Sequence, residues 1–242
     1  MQLEDRLRKI ISYVREEGLY WTFKAAMRNA FEHADLYYYK LFMPADFVFR
    51  NKTYHYFYHG YNHSWLSERT IEIPIIWEKV NSSKGKQILE LGNVLSHYFP
   101  IHHDVLDKYE KAPGVINADV VDFKPHKKYD LIVSISTLEH VSWDEDVRDR
   151  TKALRAVQNL RKCLAPGGEI IITVPIGYNT DLDDLLLEGK LRFDEQRFMK
   201  RITNSNRWVE AAWKDVKNAR YGAPFYATNA LRIGIIRGAG KR

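Results

Sequence analysis

The spacing of apolar positions changes near residue 85. Before it, Leu3, Leu7, Ile10, Ile11 and Val14 recur at helical intervals, Gly18 interrupts, and Phe23, Met27, Ala30 and Phe31 resume the pattern. This predicts a helical appendage reaching about Leu41. Pro44 to His63 is aromatic and irregular, with tyrosines at 54, 56, 58 and 61, and "SERTIEIPIIWEKV" then predicts a helix or edge segment before Ser82-Ser83-Lys84-Gly85. Beyond that glycine, short apolar runs alternate with polar connections: Gln87 to Leu91, Asp104 to Asp107, Val115 to Ala118, Asp130 to Ser136 and Ile170 to Val174. Between the last two, Ala153, Leu154, Val157, Leu160 and Leu164 share one helical face closed by Pro166-Gly167-Gly168, and Ala230 to Ile236 predicts a final strand. Such alternation predicts a parallel sheet with crossover helices, preceded by the 1–81 region as a helical and lid or substrate segment.

Composition narrows the class. With 242 residues and 45% hydrophobic content, the chain can bury one main α/β core. Its single cysteine, Cys163, excludes an internal disulfide and mechanisms that need a cysteine pair. No apolar run has the roughly 18 residues of a membrane helix, and "MQLEDRLRKI" mixes acids and bases where a secretion signal has a basic and then an apolar block, so a cytoplasmic protein is expected. A net charge of +6 suits nucleic acid, an anionic membrane surface or a phosphorylated substrate without choosing among them.

In an open α/β sheet the ligand lies beyond the carboxyl ends of the strands, so the residues closing each run carry the functional signal. The first run closes on Glu90-Leu91-Gly92, the second on Asp107, the third leads to Asp119 in "INADVVDF", and the fourth ends in "YDLIVSISTLEHV". In order and spacing these residues resemble class I S-adenosylmethionine-dependent methyltransferases, and "LRKCLAPGGEIIITVP" is similar to the helix and fifth strand of many small-molecule members. The resemblance covers Lys86 to Pro175. It implies a Rossmann-like, doubly wound, mostly parallel seven-stranded sheet with helices on both faces, formed by residues 82–242, and S-adenosylmethionine as cofactor. It also implies that Asp107, 17 residues after Glu90, accepts from the ribose hydroxyls, and that Asp119 and the backbone at Val120 address the adenine. Gly92 would let backbone approach the methionine part, with Glu90 holding the turn or meeting the ammonium through water.

The chain departs from the family's E/D-x-G-x-G-x-G pattern: Glu90-Leu91-Gly92-Asn93-Val94-Leu95-Ser96 keeps only the first glycine. The stretch from Asn93 to His103 contains Pro100 and has room for little more than a turn or two of helix. A reshaped loop is expected, with Asn93 supplying a side-chain hydrogen bond. An uncharacterised subgroup associated with glycan gene neighbourhoods resembles this chain in "LELGNVLSHY", "NHSWLSERTIEIP" and "VPIGYN", and implies a glycan or small-molecule acceptor.

Transfer to an alcohol needs an aligned nucleophile and a base. Ser134, Ser136, Glu139 and His140 sit at the end of the fourth run, the serines assigned to the cofactor and His140, with Glu139, to catalysis. The alternative for His140 is a packed residue capping the next helix, and for Glu139 a loop-orienting role. Trp65, Glu68 and Arg69, with Tyr178 and Asn179 after the fifth strand, are the substrate candidates; a packed lid and a simple turn are the competing accounts. His55, His59 and His63 recur every four residues, but alternating tyrosines and Gly60 argue against a metal-binding helix face, and no metal is assigned. The Asp/Asn-Pro-Pro-Tyr loop of amino-methylating enzymes is absent, and Cys163 lies far in sequence from the pocket. Methylation of a small-molecule or glycan hydroxyl, sugar O-methylation first, is therefore expected. RNA methylation or a catalytically silent binding module are the rivals, and peripheral membrane contact through Trp21, Phe23, Lys24 and Arg28 competes with packing of those helices as a lid.

Overall fold

The computed structural model describes residues 34–225 and 227–240. The expected helical face from Leu3 to Phe31, including Trp21, Phe23, Lys24 and Arg28, lies outside the described residues; residues 34–42 are helical. Strands β1 (Asp46–Phe49) and β2 (Lys52–His55) form a hairpin turned by Arg50 and Asn51, whose φ angles of 53° and 59° give the primed-turn geometry that matches strand twist. Alternation along β1 sends Phe47 and Phe49 inward.

Helix α1 (Arg69–Ser82) is built from "RTIEIPIIWEKVNS" and buries Ile71, Glu72, Ile73, Ile75 and Ile76. Pro74 lies inside it and has no N–H to give to the carbonyl of Thr70. That carbonyl accepts instead from the N–H of Phe57 at 2.9 Å, which docks the aromatic segment onto the helix. The proline thus ties the upstream chain to the body of the protein.

The main sheet contains β3 (Ile88–Leu91), β4 (Asp104–Leu106), β5 (Val115–Ile116), β6 (Tyr129–Ile135), β7 (Leu164–Pro175), β8 (Glu195–Arg201), β9 (Trp208–Ala211) and β10 (Ala230–Arg237), in the order β5-β4-β3-β6-β7-β10-β8-β9. Strands β3 to β7 pair in parallel, whereas β10 runs antiparallel to both β7 and β8. The sheet has eight strands where seven were expected, because "WVEA" extends the edge as β9, antiparallel to β8. Tyr56 and the hairpin lie against that edge: the Tyr56 hydroxyl accepts from Trp208 N at 2.8 Å.

Both faces are covered, as the doubly wound arrangement requires. On one face α1 and the hairpin pack Ile71, Ile76, Phe47 and Phe49 against Leu131, Val133 and Ile135 of β6. On the other, helices α2 (Lys152–Cys163) and α3 (Thr180–Leu187) pack Ala156, Val157, Leu160 and Leu182 against Ile132, Ile170 and Ile172. Cys163 belongs to this second core, and its burial pushes the thiol pKa up. Leu164 is not the last residue of the α2 face as expected: α2 stops at Cys163, and β7 begins at Leu164, carrying Pro166-Gly167-Gly168 past a register shift beside Tyr129. A side chain at Gly168 would place its Cβ 2.8 Å from the Tyr129 carbonyl, which explains the glycine there. The short helix α4 (Trp213–Val216) covers the β8 end. Among the described residues no helix is long and apolar enough to cross a membrane.

Candidate active site

The turn after β3 is organised by Glu90. Its fully buried carboxylate accepts from Val94 N at 2.9 Å and Leu95 N at 2.8 Å through Oε1, and its Oε2 lies 2.8 Å from His103 Nε2. These bonds satisfy free donors at the start of the single 3-10 turn Leu95–His97, which is all the helix that the stretch from Asn93 to His103 forms. Asn93 is likewise structural: its amide donates to Glu110 Oε1 at 2.6 Å and its carbonyl accepts from the Ser96 hydroxyl at 2.5 Å. The residues at the second and third glycine positions therefore belong to a loop held by side chains. Gly92, the glycine retained, has φ of 85°, and an added Cβ would sit 2.3 Å from Thr137 Oγ1.

Beyond this turn lies a narrow cleft of about 80 Å³, bordered by Gly92, Leu106, Asp107, Asp119, Val120 and Val141. Asp107 is fixed by three backbone donors: Asn93 N at 3.1 Å to Oδ2, and Tyr109 N and Glu110 N, both at 2.8 Å, to Oδ1. The carboxylate is thereby aimed without needing a side-chain partner, and its remaining lone pairs suit vicinal hydroxyls. Asp119 borders the same cleft, but its Oδ2 is already engaged by Lys152 Nζ at 2.7 Å and Lys108 Nζ at 3.0 Å. Burial would raise its pKa; the two lysines outweigh that and hold it below the usual carboxylate range. Lys108 also reaches Glu145 at 3.1 Å and so spans one wall of the cleft. Apolar walls, a fixed carboxylate and a glycine that no Cβ could replace fit an adenosyl group.

A second cavity of about 410 Å³ opens on the other side of the β6 end, bordered by Ser67, Glu68, Arg69, Ser136, Glu139 and Tyr178. Ser136, the first residue after β6, has φ of 37° and donates its hydroxyl to Glu72 Oε1 at 2.5 Å. Arg69 donates to Glu72 Oε2 at 3.3 Å and to the Ile135 carbonyl at 2.9 Å, locking the start of α1 to the end of β6. Burial raises the Glu72 carboxyl pKa from 4.5 to about 7, with Glu68 adding to the rise and Arg69 opposing it. Glu139 is displaced well above the carboxylate range, chiefly by burial and then by Glu72.

His140 borders both spaces, and it is the single described residue that does. It ends a 3-10 turn, Leu138–His140, separate from α2, so it does not cap that helix. Its Nδ1 lies 2.5 Å from Asp144 Oδ2, and the Tyr178 hydroxyl donates to the same oxygen at 2.9 Å. Burial and Asp144 raise the Tyr178 phenol, which keeps it a donor. Nε2 faces away from this pair, 3.8 Å from Glu139 Oε1. An imidazole with Nδ1–H held by a carboxylate and Nε2 free is arranged as a proton acceptor.

The sequence candidates thus divide. Gly92, Asp107, Asp119 and Val120 meet at the cleft, and Glu68, Arg69, Ser136, Glu139 and Tyr178 at the cavity, with His140 between. Ser136, expected at the cofactor, borders the larger cavity rather than the cleft, because the turn at positive φ directs it to Glu72. Ser134 is fully buried inside β6 and reaches neither space. Trp65 offers no face for stacking: it is 2% exposed, with its indole N–H donated to Asp35 at 2.9 Å. Asn179 caps α3 by accepting from Leu182 N at 2.9 Å, and donates to the Glu139 carbonyl at 2.7 Å. Glu90 and Asn93 shape the turn without bordering the cleft. Sequence reasoning passed over Glu72, Asp144, Lys108 and Thr137; an acid inside "TIEIPII" was the visible sign for Glu72, whereas Asp144 lay in a polar loop with none.

A Methyltransferase domain family model matches residues 80–213. No curated protein matches the chain. Solved structures it is similar to include the N-methyltransferase NodS from Bradyrhizobium japonicum WM9 in complex with S-adenosyl-L-homocysteine, at 15% identity and a TM-score of 0.43 over 71% of this chain and 87% of that one. Another is an S-adenosylmethionine-dependent methyltransferase from Clostridium acetobutylicum ATCC 824, at 13% identity and a TM-score of 0.37 over 69% and 89%. A third is CalS10, an amino pentose methyltransferase from Micromonospora echinaspora, at 16% identity and a TM-score of 0.30 over 40% and 47%. With more than half of its length matched by that family and its strand ends arranged around a cleft of the required chemistry, the chain belongs to the class I S-adenosylmethionine-dependent methyltransferases.

Proposed function

We propose that the protein methylates a hydroxyl of a small polyhydroxylated acceptor, a sugar or glycan, bound in the cavity beside His140. The observation that carries this reading is the position of His140, which borders the cofactor cleft and the acceptor cavity together. Asp107 would hold the ribose hydroxyls, Gly92 the backbone approach to the methionine part, and Val120 with Asp119 the adenine side. S-adenosylmethionine, when bound, supplies an electrophilic methyl group on a sulfonium.

The chain supplies orientation and proton transfer. Asp144 accepts from Nδ1–H of neutral His140, which leaves the Nε2 lone pair to take the acceptor hydroxyl proton. Tyr178, donating to Asp144, fixes the carboxylate in place. As His140 gains its proton, Asp144 stabilises the imidazolium, so the two act as a base and its orienting partner. Glu68 and Arg69 border the acceptor, and we assign residues 1–81 the role of lid and substrate region built onto the 82–242 domain.

Calorimetric titration of S-adenosylhomocysteine into the native chain and into Asp107→Ala tests the cofactor half. Losing a charge-assisted acceptor should weaken binding by about 10- to 100-fold. Equal affinity in the two proteins would remove Asp107 from the site, and absence of binding by the native chain would overturn the reading.

A further inference from the structure

The acceptor cavity is unusual in the chemistry it leaves unsatisfied. Glu139, 1% exposed, and Glu68, 9% exposed, each have an Oε2 atom that is buried without a hydrogen-bond partner. Both residues border the cavity, as does Ser67, whose hydroxyl is also buried and unpartnered. A buried carboxylate oxygen left unpaired costs free energy, so such atoms in a substrate cavity mark where a ligand donor belongs. A hydroxyl donates one hydrogen; two carboxylates flanking one space call for a group with several hydrogens and a positive charge.

The cavity's guanidinium cannot answer that need. Arg69 is committed to Glu72 and to the Ile135 carbonyl. Counting Glu68, Glu72 and Glu139 against Arg69, three acids surround one base. A cation entering the cavity would offset that excess of acids and give the unpartnered Oε2 atoms a donor. An anionic acceptor, a phosphorylated sugar included, would meet carboxylates with no unengaged guanidinium among these four residues.

We infer that the acceptor carries an amine, held as an ammonium between Glu68 and Glu139, so that the substrate class is an amino sugar or a comparable amino alcohol. This rests on the cavity being the acceptor site proposed above. The ammonium is a recognition group and the methylated atom the hydroxyl presented to His140 Nε2. Glu139, adjoining His140, would place the amine close to that hydroxyl.

The experiment uses the full chain saturated with S-adenosylhomocysteine and matched sets of probes: glucosamine, N-acetylglucosamine and glucose, and the corresponding galactose set. Binding is followed by calorimetry and by ligand-observed NMR at pH 7. The expected result is an amine bound at least about tenfold more tightly than its acetylated and hydroxyl counterparts, with that preference lost in Glu139→Gln and reduced in Glu68→Gln. Unchanged S-adenosylhomocysteine affinity in both variants certifies their fold. An acetylated or hydroxyl probe bound as well as the amine, or no amine bound at all, would overturn the inference. Product NMR separates the two readings: methylation on nitrogen would defeat the hydroxyl assignment while leaving amine recognition standing, and methylation on oxygen without amine preference would do the reverse.

Discussion

His140, Asp144 and Gly92 each make a claim that one substitution can test. Replacing His140 with Asn removes the proton acceptor but keeps a polar side chain at the border of the cleft, so turnover should fall by about 100-fold or more while S-adenosylhomocysteine affinity changes little. Retained turnover with an identified acceptor would dismiss it as the base. Asp144→Asn should lower turnover less than His140→Asn does in the same assay, because it weakens the group that orients Nδ1–H and stabilises the imidazolium. Gly92→Ala is a steric test: its Cβ would overlap Thr137, at 2.3 Å from Oγ1, and φ of 85° disfavours any Cβ. Cofactor binding should be lost, with Thr137→Ser in the same chain giving little relief, since the Oγ1 clash remains.

Short elements with their termini inside the site carry the next level of organisation. Asn179 joins the α3 N-terminus to the turn holding Glu139 and His140 through one side chain, accepting from Leu182 N and donating to the Glu139 carbonyl. Asn179→Ala should cost about 1 kcal/mol for the lost cap and more for the buried carbonyl left unpaired, a fall in melting temperature of several degrees. Activity should drop as well, since the turn loses its anchor; a thermal scan with a parallel methyltransferase assay reads both. Pro74 works at the same scale in the opposite sense. By failing to donate, it frees the Thr70 carbonyl for Phe57, and a helix that tolerates a proline thereby acquires its neighbour.

Across the whole molecule, buried acids and lysine-paired acids oppose each other in pH. Glu72, raised from 4.5 to about 7, holds a proton in the fold that the unfolded chain releases above pH 4.5. Stability from this group is therefore complete below pH 4.5 and declines as pH rises through 7, and Glu139 acts in the same direction. Asp104 and Asp119, held below their usual range with lysines as partners, lose their contribution only in acid. Urea midpoints at pH 5 and pH 8 should show the decline in the native chain and a flatter response in Glu72→Gln, by at most about 3 kcal/mol for a shift of this size. A native midpoint higher at pH 8 than at pH 5 would contradict the upward displacement of Glu72 and Glu139.

The sheet from β3 to β7, the α2 crossover and β10 were legible in order because parallel strands buried on both faces leave continuous apolar runs, and the acids closing them mark the carboxyl edge. Asp107 and Gly92 were legible for the same reason, since their positions follow from strand ends alone. β9 was not legible: "WVEA" is too short and mixed to announce an edge strand, and it pairs only because β8 offers an open side. Nor could spacing separate the two sides of β6. Ser134 and Ser136 differ by two residues, yet one stays within the strand and the other swings to Glu72 because the chain turns at positive φ. Trp65 was read as a stacking surface from its type, and packing against the body took its face away. The sequence alone determined the sheet and the strand-end acid of a methyltransferase. Only tertiary contact decided which polar side chains brace loops and which remain unpaired in a cavity, because satisfaction of a buried hydrogen bond depends on partners brought from distant parts of the chain.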